Sequence, residues 1–126
     1  MYYTTLGSYA SMRAGLQSYI LQKVSIPIVE SNQCSQLHGW QDDGIICAGV
    51  GNYDTCRGDS GGPLSCSIFD SNIGRKWFLR GITSFGDEIC GGGHPAAYAD
   101  VEKFTDWIIL TMYTYEITQY PFSKPN

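Results

Sequence analysis

The stretch Asp54-Thr55-Cys56-Arg57-Gly58-Asp59-Ser60-Gly61-Gly62-Pro63-Leu64 decides how the rest of the chain is read. Glycines stand on both sides of one serine. They let the backbone bend sharply there and leave the Ser60 hydroxyl unshielded. The same bends can aim the amides of Gly58 and Ser60 at one point, where a developing oxyanion would be stabilised. A hydroxyl beside converging donors is half of an acyl-transfer site. A glycine-rich turn that merely contains Asp and Ser is the plainer alternative, and the flanking sequence has to separate the two.

Outward from this loop the pattern is that of short strands. Upstream, Val24-Ser25-Ile26-Pro27-Ile28 alternates at period two, as a half-buried strand does, and Pro27 removes a ladder donor and so marks an edge or a bend. Glu30-Ser31-Asn32 offers a helix start, with a short helical turn through Cys34 and Leu37 that ends near Gly39. Residues 44–48 form a brief apolar strand. Downstream, 63–69 and 76–85 read as two strands joined across 70–74 in a hairpin, and 98–101 as a last short strand. Asp100 is placed to cap a helix over 102–112, with Phe104, Trp107, Ile108 and Thr111 along one face. Short strands followed by one C-terminal helix predict an all-β, antiparallel barrel. Residues 1–20 are expected to be an irregular N-terminal remnant and 113–126 an extended or mobile tail.

Composition narrows the function classes. The 126 residues suffice for one domain, and 43% hydrophobic against 16% charged argues for a packed core. Eight basic and twelve acidic residues leave a net charge of -4, without the clustered cationic excess that nucleic acid requires. No apolar run approaches the roughly 20 residues needed to span a bilayer. Neither nucleic acid nor membrane is therefore expected as a partner. Five cysteines lack any C-x-x-C pair and only two histidines accompany them, so disulfides in an oxidising compartment are a better reading than a metal site. Five is odd, and one thiol is expected to be free or to pair outside the chain. Residues 1–22 contain no apolar core that could serve as a signal peptide, so this chain looks incomplete for a secreted protein.

The run from Gly58 to Leu64, with Asp54 and Cys56 ahead of it, closely resembles the chymotrypsin/trypsin-like serine proteases. The resemblance extends over residues 21–112 in order and approximate spacing. It implies the second, six-stranded Greek-key barrel of that fold, present here at 21–112 in complete or incomplete form. It also implies that Ser60 is the nucleophile and that the amides of Gly58 and Ser60 form the oxyanion hole. Asp59 resembles the carboxylate that receives a new N-terminal ammonium on activation. Asp54 matches the base of the specificity pocket, where a carboxylate favours Arg or Lys. Thr55, Ser84, Phe85, Gly86 and Ala96 complete that pocket. Two residues depart from the family: Phe85 replaces the usual Trp, and Ala96 stands where trypsin-like pockets carry Gly, which narrows the slot. Arg57 sits at the rim and would repel basic neighbours in a substrate.

The same resemblance implies disulfides Cys34–Cys47 and Cys56–Cys90. It leaves Cys66 unpaired, because its usual partner lies on a strand before residue 21 and no cysteine occurs there. It implies no cofactor and no metal. A complete enzyme of this kind has a first barrel carrying the general-base His and its Asp. Neither His38 nor His94 matches that base, so the chain alone is expected to be inactive. Two functions follow as expectations. One is the C-terminal part of a secreted, extracellular trypsin-like endopeptidase acting on protein or peptide substrates at Arg or Lys. Its partners would be the missing N-terminal barrel and protein protease inhibitors. The alternative is a catalytically inactive homologue that serves as a binding or regulatory module.

Overall fold

Pro27 has no N–H to contribute to a ladder, and the sheet breaks at that residue. In the computed structural model, which describes residues 3–8, 20–39, 44–49, 55–87 and 89–119, β2 (Gln22–Ile26) ends just before Pro27 and β3 (Ile28–Val29) begins just after it. The other elements are β1 (Tyr3–Ser8), α1 (Ser31–His38), β4 (Ile45–Ala48), β5 (Pro63–Asp70), β6 (Gly74–Phe85), β7 (Ala96–Asp100) and α2 (Val101–Gln119). All described pairings are antiparallel, and the strands lie in one seven-stranded sheet in the order β2-β1-β5-β6-β7-β4-β3. The two ends of that order, β2 and β3, are successive halves of one segment. The sheet therefore wraps round on itself and stays open only at the seam marked by Pro27. This is the mostly antiparallel architecture with a C-terminal helix that the strand pattern predicts, in the form of an incompletely closed barrel.

Both ends of the order feed one core. Ile26 packs with Ile46, Ala48, Leu64, Ala96 and Tyr98, and the half-buried Val24 and Ile28 pack against that cluster. Gly81 is what lets β5 and β7 approach across β6. A Cβ there would lie 2.9 Å from Tyr98 Cβ and 3.2 Å from Leu64 Cδ2, closer than packed carbons sit.

Two stretches differ from expectation. The 1–20 segment was expected to be irregular, yet it contains β1, which pairs with β2 on one side and β5 on the other. Its sequence, Tyr-Thr-Thr-Leu-Gly-Ser, has no clear apolar alternation, so hydrogen bonding on both edges decides its conformation. The 113–126 tail was expected to be extended, yet α2 continues to Gln119, and 120–126 lie outside the described residues. No Gly or Pro interrupts 101–119, and a helix propagates readily once its first turn is nucleated. Asp100 supplies that start, its Oδ1 accepting from the Glu102 amide at 3.1 Å. At α1, Gly39 takes the left-handed C-cap (φ 67°) and donates to the Ser35 carbonyl at 2.8 Å.

Irregularities in β6 place two side chains. Leu64 pairs with Gly81 and Ser65 with Leu79, so Arg80 is skipped in the β5–β6 ladder. Freed from the ladder, its guanidinium pairs with Asp100 and reaches Glu102 at 3.2 Å, tying β6 to the start of α2. Likewise Thr83 pairs with Tyr98 and Phe85 with Ala97, so Ser84 is skipped on the β7 side. Bulges of this kind re-aim a side chain next to a functional loop.

Candidate active site

The loop before β5 is organised around Asp59. Its carboxylate is buried, and Oδ2 accepts from the Cys56 amide at 2.8 Å. Its own amide donates to the Cys56 carbonyl at 3.0 Å, and its carbonyl accepts from the Gly62 amide at 2.8 Å. This inward turn of Asp59 leaves its neighbour Ser60 facing solvent. Gly58 (φ 100°) and Gly61 (φ 81°) occupy the left-handed region on the two sides of the serine. Among the described residues, the amides of Gly58 and Ser60 take no part in the loop's internal hydrogen bonds.

The loop is stitched to β6. Gly61 donates to the Thr83 carbonyl and Thr83 donates to the Gly62 carbonyl, both at 2.9 Å, while Thr83 Oγ1 donates to the Gly62 carbonyl at 3.1 Å. These bonds bring Ser60 alongside the end of β6, where Ser84 is exposed at its bulge, Phe85 is half-buried and Gly86 is exposed. The disulfide Cys56–Cys90, with Cα atoms 5.3 Å apart, joins the same loop to the β6–β7 connection. Ala96, fully buried, follows that connection at the start of β7, and Thr55 is buried beside Cys56 in sequence. Gly61 and Gly62, beside Ser60, are thus tied by hydrogen bonds to Thr83, next to Ser84, and Cys56, beside Thr55, is tied by a disulfide to Cys90. Asp54 lies outside the described residues, as do Asp42 and Asp43, and so does the side chain of His38.

Both disulfides implied by the sequence are present, Cys34–Cys47 joining α1 to β4 and Cys56–Cys90 joining the two loops. Cys66 is a buried free thiol. In the ladder β1 places Thr4 opposite Cys66. Burial pushes the Cys66 thiol up, with Arg80 pulling in the other direction.

Asp59 Oδ1 is buried and has no hydrogen-bond partner among the described residues. A carboxylate oxygen left in this state favours the arrival of a cation or donor. Among the described residues no imidazole is hydrogen-bonded to Ser60 Oγ. His94 is engaged elsewhere, its Nδ1 lying 2.6 Å from Asp87 Oδ2. Neither that pair nor the stitching by Thr83 was foreseen from sequence. Thr83 is one polar residue in a strand, and Asp87 and His94 flank glycines with no helical or strand periodicity to link them. Among the described residues no three His, Cys, Asp or Glu side chains converge as a metal site would require, and no helix is long and apolar enough to cross a membrane.

The trypsin family matches this sequence over residues 3–108. The chain belongs to the trypsin family of serine proteases. Trypsin eta of Drosophila melanogaster is 40% identical to it over 98 residues, covering 75% of this chain and 34% of that protein. Trypsin-1 of Astacus astacus is 41% identical over 93 residues, covering 71% of this chain and 37% of that protein. Among solved structures, neuropsin, a serine protease expressed in the limbic system of mouse brain, superposes with a TM-score of 0.72 at 33% identity. That superposition covers 88% of this chain and 48% of neuropsin. The chain therefore spans about a third of the length of these trypsins and about half of neuropsin. The match begins at residue 3, so β1 is part of the trypsin-like domain, and it ends at 108, before α2 does.

Proposed function

We propose that this chain is the C-terminal part of a trypsin-like serine endopeptidase in which Ser60 attacks the scissile carbonyl. The observation that carries this reading is the contrast between adjacent residues, Asp59 buried and held, Ser60 exposed between two left-handed glycines. In the reaction the serine hydroxyl bonds to the carbonyl carbon and its proton passes to a base. The oxyanion is received by the amides of Gly58 and Ser60. The base passes its proton to the amine, which leaves as the peptide C–N bond breaks, and water then hydrolyses the acyl-serine ester to free the acid and Ser60. Asp54 at the pocket base selects Arg or Lys, and Thr55, Ser84, Phe85, Gly86 and Ala96 shape the walls. The half-satisfied Asp59 carboxylate is the position that a new N-terminal ammonium would fill on activation. Disulfides of this kind persist in an oxidising compartment, which supports a secreted, extracellular parent. Its partners are protein or peptide substrates, a first barrel supplying His and Asp, and protein protease inhibitors.

By itself the chain is inactive on this reading, because the base that takes the Ser60 proton belongs to the first barrel. Removing the base from a serine protease lowers turnover on the order of 10⁶-fold. The test is a fluorophosphonate probe, which reacts only with an activated serine. The isolated chain stays unlabelled at Ser60. A form joined to a first barrel with His and Asp, and cut to expose a new N-terminus, is labelled and cleaves Arg or Lys amides, and Ser60→Ala abolishes both. Labelling of the isolated chain at the rate of an active protease would sink the reading.

One observation favours the second reading, a non-catalytic binding module. Helix α2 exposes Phe104, Trp107, Ile109, Leu110, Met112, Tyr113 and Tyr115, a large apolar surface for a soluble helix. A joined two-barrel form that binds protein partners yet never labels at Ser60 would select this alternative.

A further inference from the structure

The connection from β6 to β7, residues 86–95, leads from Phe85 to Ala96, and Glu88 within it lies outside the described residues. Gly91, Gly92 and Gly93 follow one another, and Ile89 is exposed. Two ties are already described at this loop, the disulfide from Cys90 to Cys56 and the ladder pairing of Phe85 with Ala97. A third joins its two ends. Asp87 stands two residues past β6, His94 stands two residues before β7, and Nδ1 of one lies 2.6 Å from Oδ2 of the other.

The carboxylate is seated closely. The Gly92 amide donates to the Ile89 carbonyl at 3.0 Å, turning the chain back over Asp87. A Cβ at residue 92 would lie 2.9 Å from that carbonyl oxygen and 3.2 Å from Asp87 Oδ2, so only glycine fits the turn without displacing the pair. Side-chain exposures of 55% for His94 and 33% for Asp87 make the contact too wet to matter for global stability. A loop with three successive glycines opens locally, however, and there a single short hydrogen bond shifts the equilibrium.

We propose that Asp87 and His94 form a clasp that positions the 86–95 loop as a wall of the specificity pocket. His94 is a positioning residue in this role. An ionised carboxylate can only accept, so the ring nitrogen facing Asp87 must carry the proton, and neutral His94 is the Nδ1–H tautomer. The functional meaning of the clasp rests on the pocket reading above, while the clasp itself does not.

The experiment uses the oxidised 126-residue chain. Long-range proton–nitrogen NMR reads the tautomers of its two histidines without any substitution, and His94→Asn assigns them by removing one set of signals. Neutral His94 is expected as Nδ1–H, and Asp87→Ala is expected to abolish that preference. Amide exchange across 86–95 accelerates about fivefold in His94→Ala and in Asp87→Ala, with no further gain in the double variant. His94→Asn, whose side-chain amide nitrogen can stand in for Nδ1, restores most of the protection. Benzamidine, a planar cation suited to an Asp-based pocket, binds roughly threefold more weakly to His94→Ala and recovers with His94→Asn. If the native chain does not bind benzamidine while tautomer and exchange behave as stated, the Arg/Lys pocket reading falls and the clasp stands as a loop-positioning pair. An Nε2–H tautomer at His94, or exchange across 86–95 unchanged in His94→Ala, overturns the clasp.

Discussion

Gly61 and Thr83 are joined by a hydrogen bond of 2.9 Å from the glycine amide to the threonine carbonyl, and this bond sets the serine loop against β6. Thr83 returns the contact through its own amide and hydroxyl to Gly62. A flexible glycine pair is thereby held in one conformation beside the exposed Ser60. The rigidity of the candidate site comes from β6, and the loop contributes only its permitted φ angles.

Gly61→Ala should therefore destabilise through the backbone alone. An added Cβ would meet nothing within 4 Å, but φ is +81°. An L-residue in that region costs about 1–2 kcal/mol. Urea unfolding of the variant is expected to show that loss with an unchanged m-value.

Gly81→Ala should be worse for the opposite reason. Its backbone is ordinary, but the new methyl would press on Tyr98 Cβ and Leu64 Cδ2 in the centre of the core. Overpacking of this kind costs about 1–3 kcal/mol, and because Tyr98 Cβ cannot swing away from the new methyl the cost falls at the upper end. Thermal unfolding of the two glycine variants side by side should rank residue 81 below residue 61.

Asp100→Asn removes the charge that Arg80 faces but keeps an oxygen able to cap α2. Asp100 is buried, and Arg80 is mostly so. The substitution leaves Arg80 with only the exposed Glu102, at a cost of about 1–3 kcal/mol. Helical circular dichroism of the folded variant should be unchanged, because the Asn oxygen still accepts from the Glu102 amide.

Cys66 should resist alkylation in the folded chain. Its pKa is raised by burial, so the thiolate is scarce and also inaccessible. The sign of the linkage follows. The unfolded thiol ionises first, so the contribution of this group to stability is complete below the ordinary thiol value of about 8.5 and declines as pH rises above it. Maleimide labelling with and without urea, and urea midpoints at pH 7 and 9.5, check both statements. Cys66→Ala should flatten the alkaline part of the pH dependence.

Much of the candidate site was legible because its chemistry is local. Gly58, Asp59, Ser60, Gly61 and Gly62 are contiguous, and glycines around a serine allow only a few loop shapes. Pro27 could be read as a bend because a missing N–H interrupts any ladder. What could not be read were contacts between residues far apart in sequence. Arg80 reaches Asp100 only because a bulge takes it out of the β5 ladder, and nothing in the strand's composition announces a bulge. Asp87 and His94 meet across a glycine-rich connection that has no periodicity of its own.

By itself, then, the sequence determined the antiparallel class, the family and the serine loop, since each depends on residue types at short spacing. Tertiary structure alone decided that Tyr3–Ser8 would be a strand between β2 and β5, and that Thr4 would face Cys66. It also decided that Thr83 would anchor the loop beside Ser60. The physical reason is the same in each case. Local sequence limits which backbone shapes are cheap, and only packing and hydrogen bonding between distant strands select one of them.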